Sequence, residues 1–427
     1  MKKKAILCCL LCLIMFLPAC QSKNVEETPA RPGFHTNTVL SEYPSYREES
    51  EGFDHAAFDA AIIAATLGNP ASHEQTQNQT NPGNYMISPS SLYLAMSSLA
   101  YLTDGTTRFQ ITRLLDVDKM SELQDNVRTL WSSQFYQTSN TTSLMGSSLW
   151  MTYKLPFTQE AMAKVSENYY TSFYYGMPEG STLLNYYREW FASMSGSLFG
   201  EELNEITFPE EMLLASSSTL YYKSAWKEGF PDSSFREHSF YTATEEVYVY
   251  MMDMNKEYPY HQDVTFGAAG IELADGAMMW FLLPVEGVSP AQIAADPAVL
   301  SWLNDPSYDQ RLMSIHIPRF DIKSYTEFKD ILPDLGVTEV FKTKRSNFTG
   351  LTSDLKGCAL SRIDQRIRLI LYEDGLVSAP EPLQKAESLD RVPENTLEFY
   401  LNRPFMFALR DADGTLIYVG IVNDPTK

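Results

Sequence analysis

Apolar residues recur at helical spacing in much of the first half of the chain and alternate, or run continuously, in the second half. Helical spacing predicts helices over 53–65, 91–102, 119–131 and 158–173. Val247, Val249 and Met251 alternate with other residues, and the continuous apolar run 277–283 ends before Pro284. Further strands are predicted at 315–320, 367–371, 397–409 and 415–422, with a bend or an edge position at Pro404. Helices first and strands later indicate an α+β fold.

The N-terminus has a pattern of its own. Lysines 2–4 precede an apolar stretch that is shorter than the roughly 20 residues of a bilayer span, which predicts a signal peptide over 1–19. The run Leu17-Pro18-Ala19-Cys20 resembles a bacterial lipobox, so Cys20 is the expected lipid-attachment site, and ordinary secretion is the alternative. Residues 20–50 are polar and read as a flexible tether. No interior linker divides the rest, so 51–427 is predicted to be a single domain, with a surface loop at 73–84.

Composition narrows the possible partners. Four of the five cysteines lie in the first 20 residues, which leaves Cys358 without a disulfide partner in the body of the chain. Removing those residues takes three lysines from 33 basic residues and none from 54 acidic residues, so the net charge falls from −21 to −24. Such a surface disfavours nucleic acid and anionic headgroups. We expect a monomer exported to the cell surface or the extracellular space, touching the membrane only through its N-terminal lipid.

Sequence signatures of catalysis are absent. The chain has no G-x-S-x-G elbow, no phosphate-binding glycine loop and no dinucleotide fingerprint. The histidines at 35, 55, 73, 238, 261 and 316 are scattered, and His316 in an apolar strand pattern reads as a structural residue. The analysis of motifs therefore predicts no enzyme, no metal site and no cofactor.

Several segments together resemble the serpin family. These are NYMISPSSL at 84–92, TLYYKSAW at 219–226, FYLNRPFMFAL at 399–409 and GIVNDP at 420–425, in serpin order and at serpin spacings over about 50–427. The resemblance implies helices packed around a large central mixed β-sheet, with additional sheets and an exposed reactive loop at about 376–396. It also implies an inhibitor of serine endopeptidases rather than an enzyme.

The resemblance assigns roles beneath the loop as well. Trp226 falls at the family's breach position, although a large apolar residue with one donor can simply be core. Ser88 and Ser91 fall in the shutter, and they can equally be helix caps. Ser218 stands where the family usually has asparagine, and Gln365 where it often has histidine. Both can form hydrogen bonds, so a rewired shutter network is expected.

Glu373-Asp-Gly375 resembles the Glu-x-Gly that opens the serpin reactive loop. In the family mechanism a protease cuts the loop, which then enters the central sheet as a new strand with the protease still acylated. Every second hinge residue must then be buried. Counted from Gly375, these are Leu376, Ser378, Pro380 and Pro382, in a register where small residues are usual. Leu376 is bulky, and each proline lacks the N–H that a central strand donates.

Two functions therefore stay open. The first is a suicide inhibitor of serine or cysteine proteases. Family spacing places its reactive bond at Leu389–Asp390, which suits chymotrypsin-like, elastase-like or subtilisin-like enzymes with apolar specificity pockets. If Leu389 is an ordinary loop residue, Lys385 or Arg391 would instead attract trypsin-like proteases. The second is a non-inhibitory binding module or decoy whose loop is cut as a plain substrate.

Overall fold

The computed structural model describes residues 35–36, 54–69, 83–153, 157, 159–178, 180–231, 235–351, 358–377, 384–385 and 394–427. All of these belong to one compact unit, Pro32–Lys427. The described helices are α1 (Ala56–Thr66), α2 (Pro89–Leu102), α3 (Gly105–Leu114), α4 (Met120–Ser133), α5 (Gln159–Tyr169), α6 (Ser181–Met194), α7 (Pro290–Ala294) and α8 (Pro297–Asn304). Short 3-10 turns occur at Glu201–Asn204, Leu332–Leu335 and Glu339–Phe341.

The strands alternate with the helices in the first half and dominate the second. They are β1 (His35–Thr36), β2 (Tyr85–Ile87), β3 (Phe135–Gln137), β4 (Thr141–Thr152), β5 (Thr171–Gly176), β6 (Leu214–Ala225), β7 (Glu228–Gly229), β8 (Phe235–Tyr241), β9 (Glu246–Gln262), β10 (Phe266–Glu272), β11 (Met278–Pro284), β12 (Asp309–Pro318), β13 (Phe320–Glu327), β14 (Leu360–Tyr372), β15 (Gly375–Leu376), β16 (Gln384–Lys385), β17 (Leu397–Tyr400), β18 (Phe405–Arg410) and β19 (Leu416–Val422).

Two large sheets organise these strands. The first has the order β1-β5-β4-β6-β15-β14-β13, with β3 paired to β4, and it is mixed because β4–β5 and β6–β14 run parallel. The second has the order β17-β12-β9-β10-β11-β18-β19-β2, with β8 paired to β9. The predicted α+β class with a large central mixed sheet is confirmed.

Helix α2 lies at the centre of the main core. Every one of its residues except Tyr101 is buried. A helix that is apolar all round belongs inside a protein, because it has no face to offer water. It begins at Pro89 after the cap residue Ser88, and it contacts the central strands β4 and β6 as well as β19.

A second, aromatic core lies between α6 and the outer face of the central sheet. Trp150 of β4 stacks on Tyr174 of β5 at a ring-centroid distance of 4.3 Å. The Trp150 ring also meets Trp190 of α6 edge-on at 6.0 Å and Tyr187 at 4.9 Å. Aromatic contacts of this kind are worth about 0.5–1.5 kcal/mol each beyond their burial. Helix α6 is therefore held firmly over β4 and β5.

Two predicted boundaries are wrong. The helix predicted over 158–173 ends at Tyr169, because Tyr170 has a φ of +48° and breaks the helix. Residues Thr171–Gly176, rich in aromatic and β-branched side chains, then form β5. The strand predicted over 397–409 is two strands, β17 and β18, and the bend predicted at Pro404 lies between them. The loop predicted at 73–84 lies outside the described residues except for Gly83 and Asn84.

Candidate functional site

The central sheet is incompletely paired between β6 and β14. These parallel strands pair from Leu360 opposite Leu214 as far as Gln365 opposite Ser218. No ladder register joins their described upper halves, 219–223 and 366–370, where the Thr219 hydroxyl donates to the Arg366 carbonyl at 2.7 Å. An interrupted ladder between two facing strands is the arrangement that accepts an added strand.

The beginning of the predicted loop already occupies the top of this opening. Strand β15 lies between β6 and β14, with Leu376 opposite Ser224 on one side and Leu371 on the other. Gly375 has a φ of +145°, and a Cβ atom there would lie 2.2 Å from the Ser224 carbonyl oxygen. Only glycine therefore fits where the chain turns back into the sheet.

The expected obstruction by Leu376 is wrong. Its side chain has no exposed surface and belongs to the main hydrophobic core. The bulk of this residue is accommodated in the intact chain, so it adds nothing to the cost of any later insertion. Its inward orientation agrees with the predicted register. Ser378, Pro380 and Pro382 lie outside the described residues, as do Leu389 and Asp390 and the lipid-attachment candidate Cys20.

Val377 ends the inserted segment. Its N–H donates to the Ile370 carbonyl at 2.7 Å, and its φ is +54°. A β-branched residue in the left-handed region is strained by about 1–3 kcal/mol. For β15 to lengthen, Val377 must return to an extended backbone, and that change releases the strain. No sequence signal marked Val377, because a left-handed valine is set by its surroundings.

Trp226 holds the turn that leads into β15. Its indole N–H donates to the Tyr372 carbonyl at 2.8 Å, and its backbone N–H donates to the Asp374 carbonyl at 3.0 Å. Phe230 adds a backbone bond to the Glu373 carbonyl at 3.2 Å, and Arg319 forms an ion pair with the Glu373 carboxylate at 2.8 Å. Arg319 was not predicted as a site residue, although it lies within the predicted strand 315–320. The available signal for this ion pair was a cation, Arg319, and an anion, Glu373, in two separate segments of the sequence.

Ser88, Ser91 and Gln365 are brought together at the bottom of the opening. The Gln365 Oε1 accepts from the Ser88 backbone N–H, while its Nε2 donates to the Ser88 carbonyl and to the Ser91 hydroxyl, each at 2.8 Å. The Ser88 hydroxyl accepts from the Ser91 N–H at 3.4 Å as a helix cap. Gln365 thus ties β14 to the start of α2 at the residue where β14 leaves β6.

Ser218 does not join this network. Its backbone lies opposite Gln365 and Ser147, but its buried hydroxyl has no hydrogen-bond partner within the described part of the chain. Both amide hydrogens of Gln365 are already used by Ser88 and Ser91, and a serine side chain is shorter than an asparagine. The expectation that Ser218 takes part in a rewired network is therefore wrong.

A charged network surrounds Asp364, the residue that precedes Gln365 in β14. The fully buried Asp364 accepts hydrogen bonds from the Ser217 hydroxyl and from the Tyr187 hydroxyl of α6, the latter at 3.2 Å. Glu327 lies opposite Asp364 in the β13–β14 pair, and Arg362 approaches Asp364 at 3.5 Å. Burial, and secondly the charge of Asp364, raise the pKa of Glu327 to about 8.

The loop contacts the body of the protein a second time. Gln384–Lys385 form β16, which pairs in parallel with Glu228–Gly229 of β7 just beyond Trp226. The exposed loop that was predicted at 376–396 is therefore anchored at its first residue and again at this bridge.

Cys358 is a buried free cysteine, as the cysteine count predicted. Burial raises the pKa of its thiol to about 12, so the reactive thiolate is scarce at neutral pH. No helix in the described part of the chain combines the length and the apolar character that a membrane crossing requires.

Comparison with known proteins identifies this architecture. Residues 71–425 match the family model described as "Serpin (serine protease inhibitor)". The chain belongs to the serpin family. Serpins are mostly secreted proteins that act on target proteases as inhibitors rather than as enzymes.

Individual relatives are distant in sequence. Human neuroserpin is 24% identical over 367 residues, covering 80% of this chain and 86% of its own length. The native structure of tengpin, a thermophilic serpin, superposes with a TM-score of 0.76 at 18% identity, covering 89% of this chain and 97% of tengpin. Human thyroxine-binding globulin complexed with thyroxine also gives 0.76, at 19% identity, covering 88% of this chain and all of the globulin. These structural likenesses show the fold.

The half-buried Glu327 predicts a pH dependence of stability. Its pKa is raised above the ordinary value, so the stability contributed by its proton is fully present below about pH 4.5 and is lost as the pH rises through about 8. The wild type should lose on the order of a few kcal/mol of stability between pH 5 and pH 8. The unfolding midpoint of Glu327→Gln should depend less on pH, because an amide does not titrate. The amide also keeps an oxygen acceptor for the Ile363 N–H. Glu246→Gln, at an exposed residue, should keep the wild-type slope, and equal slopes in all three proteins would contradict this assignment.

Proposed function

We propose that this serpin is an exported suicide inhibitor of serine or cysteine endopeptidases, acting as a monomer without a cofactor. One observation carries the proposal, namely the position of β15 between β6 and β14 above an unpaired stretch of both strands. An opening that already accepts Leu376 into the core has the geometry that further loop residues would need.

The proposed reaction begins with cleavage of the reactive bond and ends with insertion of the loop into the central sheet. The protease nucleophile attacks the carbonyl carbon of Leu389, an acyl bond forms to the protease, and the new amino terminus leaves with Asp390. Residues 377–389 then lengthen β15, antiparallel to both β6 and β14. Added residues can form ladder bonds along a stretch where β6 and β14 share no register, and Val377 loses its strained conformation. Because hydrolysis of the acyl bond competes with insertion, the faster of the two processes decides whether the loop acts as an inhibitor or as a substrate.

A second function is favoured by one feature of the sequence. Pro380 and Pro382 both fall in the inward register, and neither can donate to a central strand. A loop that inserts slowly would be cut as a plain substrate, leaving a binding module or decoy. The structural likeness to thyroxine-binding globulin allows ligand binding as the role of such a module.

The reactive bond can be tested directly. Incubation with chymotrypsin-like, elastase-like and subtilisin-like proteases should give an adduct that survives SDS and a released peptide that begins at Asp390. The apolar specificity pockets of these enzymes fit Leu389. A released peptide beginning at Val392 would move the reactive residue to Arg391 and favour trypsin-like targets. Cleavage without an adduct by every protease would support the decoy function.

The two prolines predict inefficient trapping. Replacing them in the double variant Pro380→Ala/Pro382→Ala should raise the fraction of protease trapped, since about 1.4 kcal/mol on the insertion barrier is a tenfold change in rate. Titration of active protease against inhibitor measures this fraction. Pro393→Ala is the matched control, because it lies beyond the scissile bond and should change nothing. Leu376→Thr should not improve trapping and should lower stability by about 2 kcal/mol. One-to-one trapping by the unmodified loop would contradict the proposed register.

We further propose that Cys20 carries the lipid that holds the protein at the cell surface. Cys20→Ala should shift the protein to the aqueous phase of a detergent partition, because two or three acyl chains supply the membrane affinity. Cys12→Ala lies within the apolar stretch of the signal peptide and should leave anchoring intact. Wild-type protein in the aqueous phase would instead indicate ordinary secretion.

A further inference from the structure

Three potential metal ligands converge on neighbouring strands of the second large sheet. His238 of β8, Asp253 of β9 and His316 of β12 each present one ligand atom, and these atoms lie within 4.8 Å of one another. We propose that this cluster is a site for a divalent transition-metal ion of the Zn²⁺ type. Two imidazoles and a carboxylate are a donor set that suits zinc, with a fourth position left for water or another oxygen.

The distances fit such an ion. Zinc bonds of about 2 Å at tetrahedral angles separate two donor atoms by about 3.3 Å. His238 Nε2 lies 3.6 Å from Asp253 Oδ2, which is too long for a hydrogen bond and close to that separation. His316 Nδ1 lies 2.8 Å from Asp253 Oδ1, a hydrogen bond whose proton the ion would displace.

His238 is already oriented for binding. Its Nδ1 lies 2.8 Å from the Tyr400 hydroxyl, whereas its Nε2 is buried and has no hydrogen-bond partner among the described residues. With the Tyr400 hydroxyl accepting the Nδ1 proton, the Nε2 lone pair points toward a carboxylate, and a cation between them removes that repulsion. Metal-bound histidines usually have such an outer partner on the other ring nitrogen.

The other side of the cluster is open to solvent. His316 Nε2 lies 3.2 Å from the Ser314 hydroxyl and 3.8 Å from Glu398 Oε1, and the Glu398 side chain is 72% exposed. Ser314 and Glu398 therefore flank the His316 nitrogen that faces away from the proposed ion, as outer partners of this ligand. The ligand side chains keep 16–24% of their surface exposed, which gives the ion a path of entry.

An ion here would join four strands. Its ligands come from β8, β9 and β12, while Tyr400 and Glu398 belong to β17. Strand β17 pairs with β12 over four residues at the edge of the sheet and follows the described end of the loop. Metal binding would therefore stabilise the C-terminal attachment of the loop.

The proposed ion would lie where the sequence predicted no metal site. The histidines are scattered in the sequence, but antiparallel pairing puts His316 directly opposite Asp253, and β8 brings His238 alongside. The site does not depend on the proposed inhibitory function, and its test does not measure inhibition.

The test is calorimetric titration of the intact, metal-stripped protein with Zn²⁺, together with thermal unfolding. We expect one saturable ion per chain and a higher unfolding midpoint, because a ligand that binds only the folded state stabilises it. His238→Asn and Asp253→Asn should each abolish both effects, and Tyr400→Phe should weaken binding about 10–100-fold. His261→Asn, whose ring packs against Trp302 elsewhere on the sheet, should bind as the wild type does.

Circular dichroism of the metal-free variants establishes that each is folded before titration. Absence of saturable binding by the wild type would overturn the proposal. Undiminished binding by a folded His238→Asn protein would overturn it as well. An unfolding midpoint of the wild type that does not rise with Zn²⁺ would also overturn it.

Discussion

The pairing of β6 with β14 stops after Ser218 and Gln365, and the rest of the candidate site depends on that interruption. Below it the two strands form an ordinary parallel ladder. Above it their facing backbone groups are left for β15, which fills only the top. The gap above Gln365 is therefore the place where a further strand could add ladder bonds to the central sheet.

Contacts on both sides of the sheet hold the strands at this point. On one side Gln365 binds Ser88 and Ser91 at the start of the buried helix α2. The neighbouring residue, Asp364, binds Tyr187 of α6, whose aromatic cluster covers β4 and β5. Because adjacent residues of a strand face opposite sides of a sheet, one dipeptide of β14 connects both layers. If β15 lengthens as far as Gln365, its new residues must either break these contacts or pass beside them.

The top of the opening is held differently. Trp226 and Phe230 bind the backbone of the turn at 373–374, and Gly375 makes the close approach to Ser224 that no other residue could make. Val377 then diverts the chain out of the sheet at a cost in backbone strain. The hinge is thus fixed up to Leu376 and strained at the next residue, which places the start of any movement at Val377.

Much of the fold could be predicted because it rests on local patterns. Helical periodicity located α1, α2 and α4, and apolar runs located β11 and β19, since burial of one face imposes a period on the sequence itself. The motifs at 219–226 and 399–409 were sufficient for the family. The local pattern could not show that Tyr170 would end a helix, because a left-handed tyrosine has no signature in sequence.

The tertiary structure decided what depends on neighbours distant in the chain. Leu376 looked like an obstruction because insertion favours small residues, yet the core already has room for it. Ser218 looked like a network member because it can form hydrogen bonds, yet Gln365 is saturated by Ser88 and Ser91. His238 and His316 looked scattered, yet strand register places both beside Asp253. Local sequence patterns predicted most of the helices and strands and the family that they build. Only the packed sheet determined which side chains share a cavity, because that is set by strand order and register and not by separation along the chain.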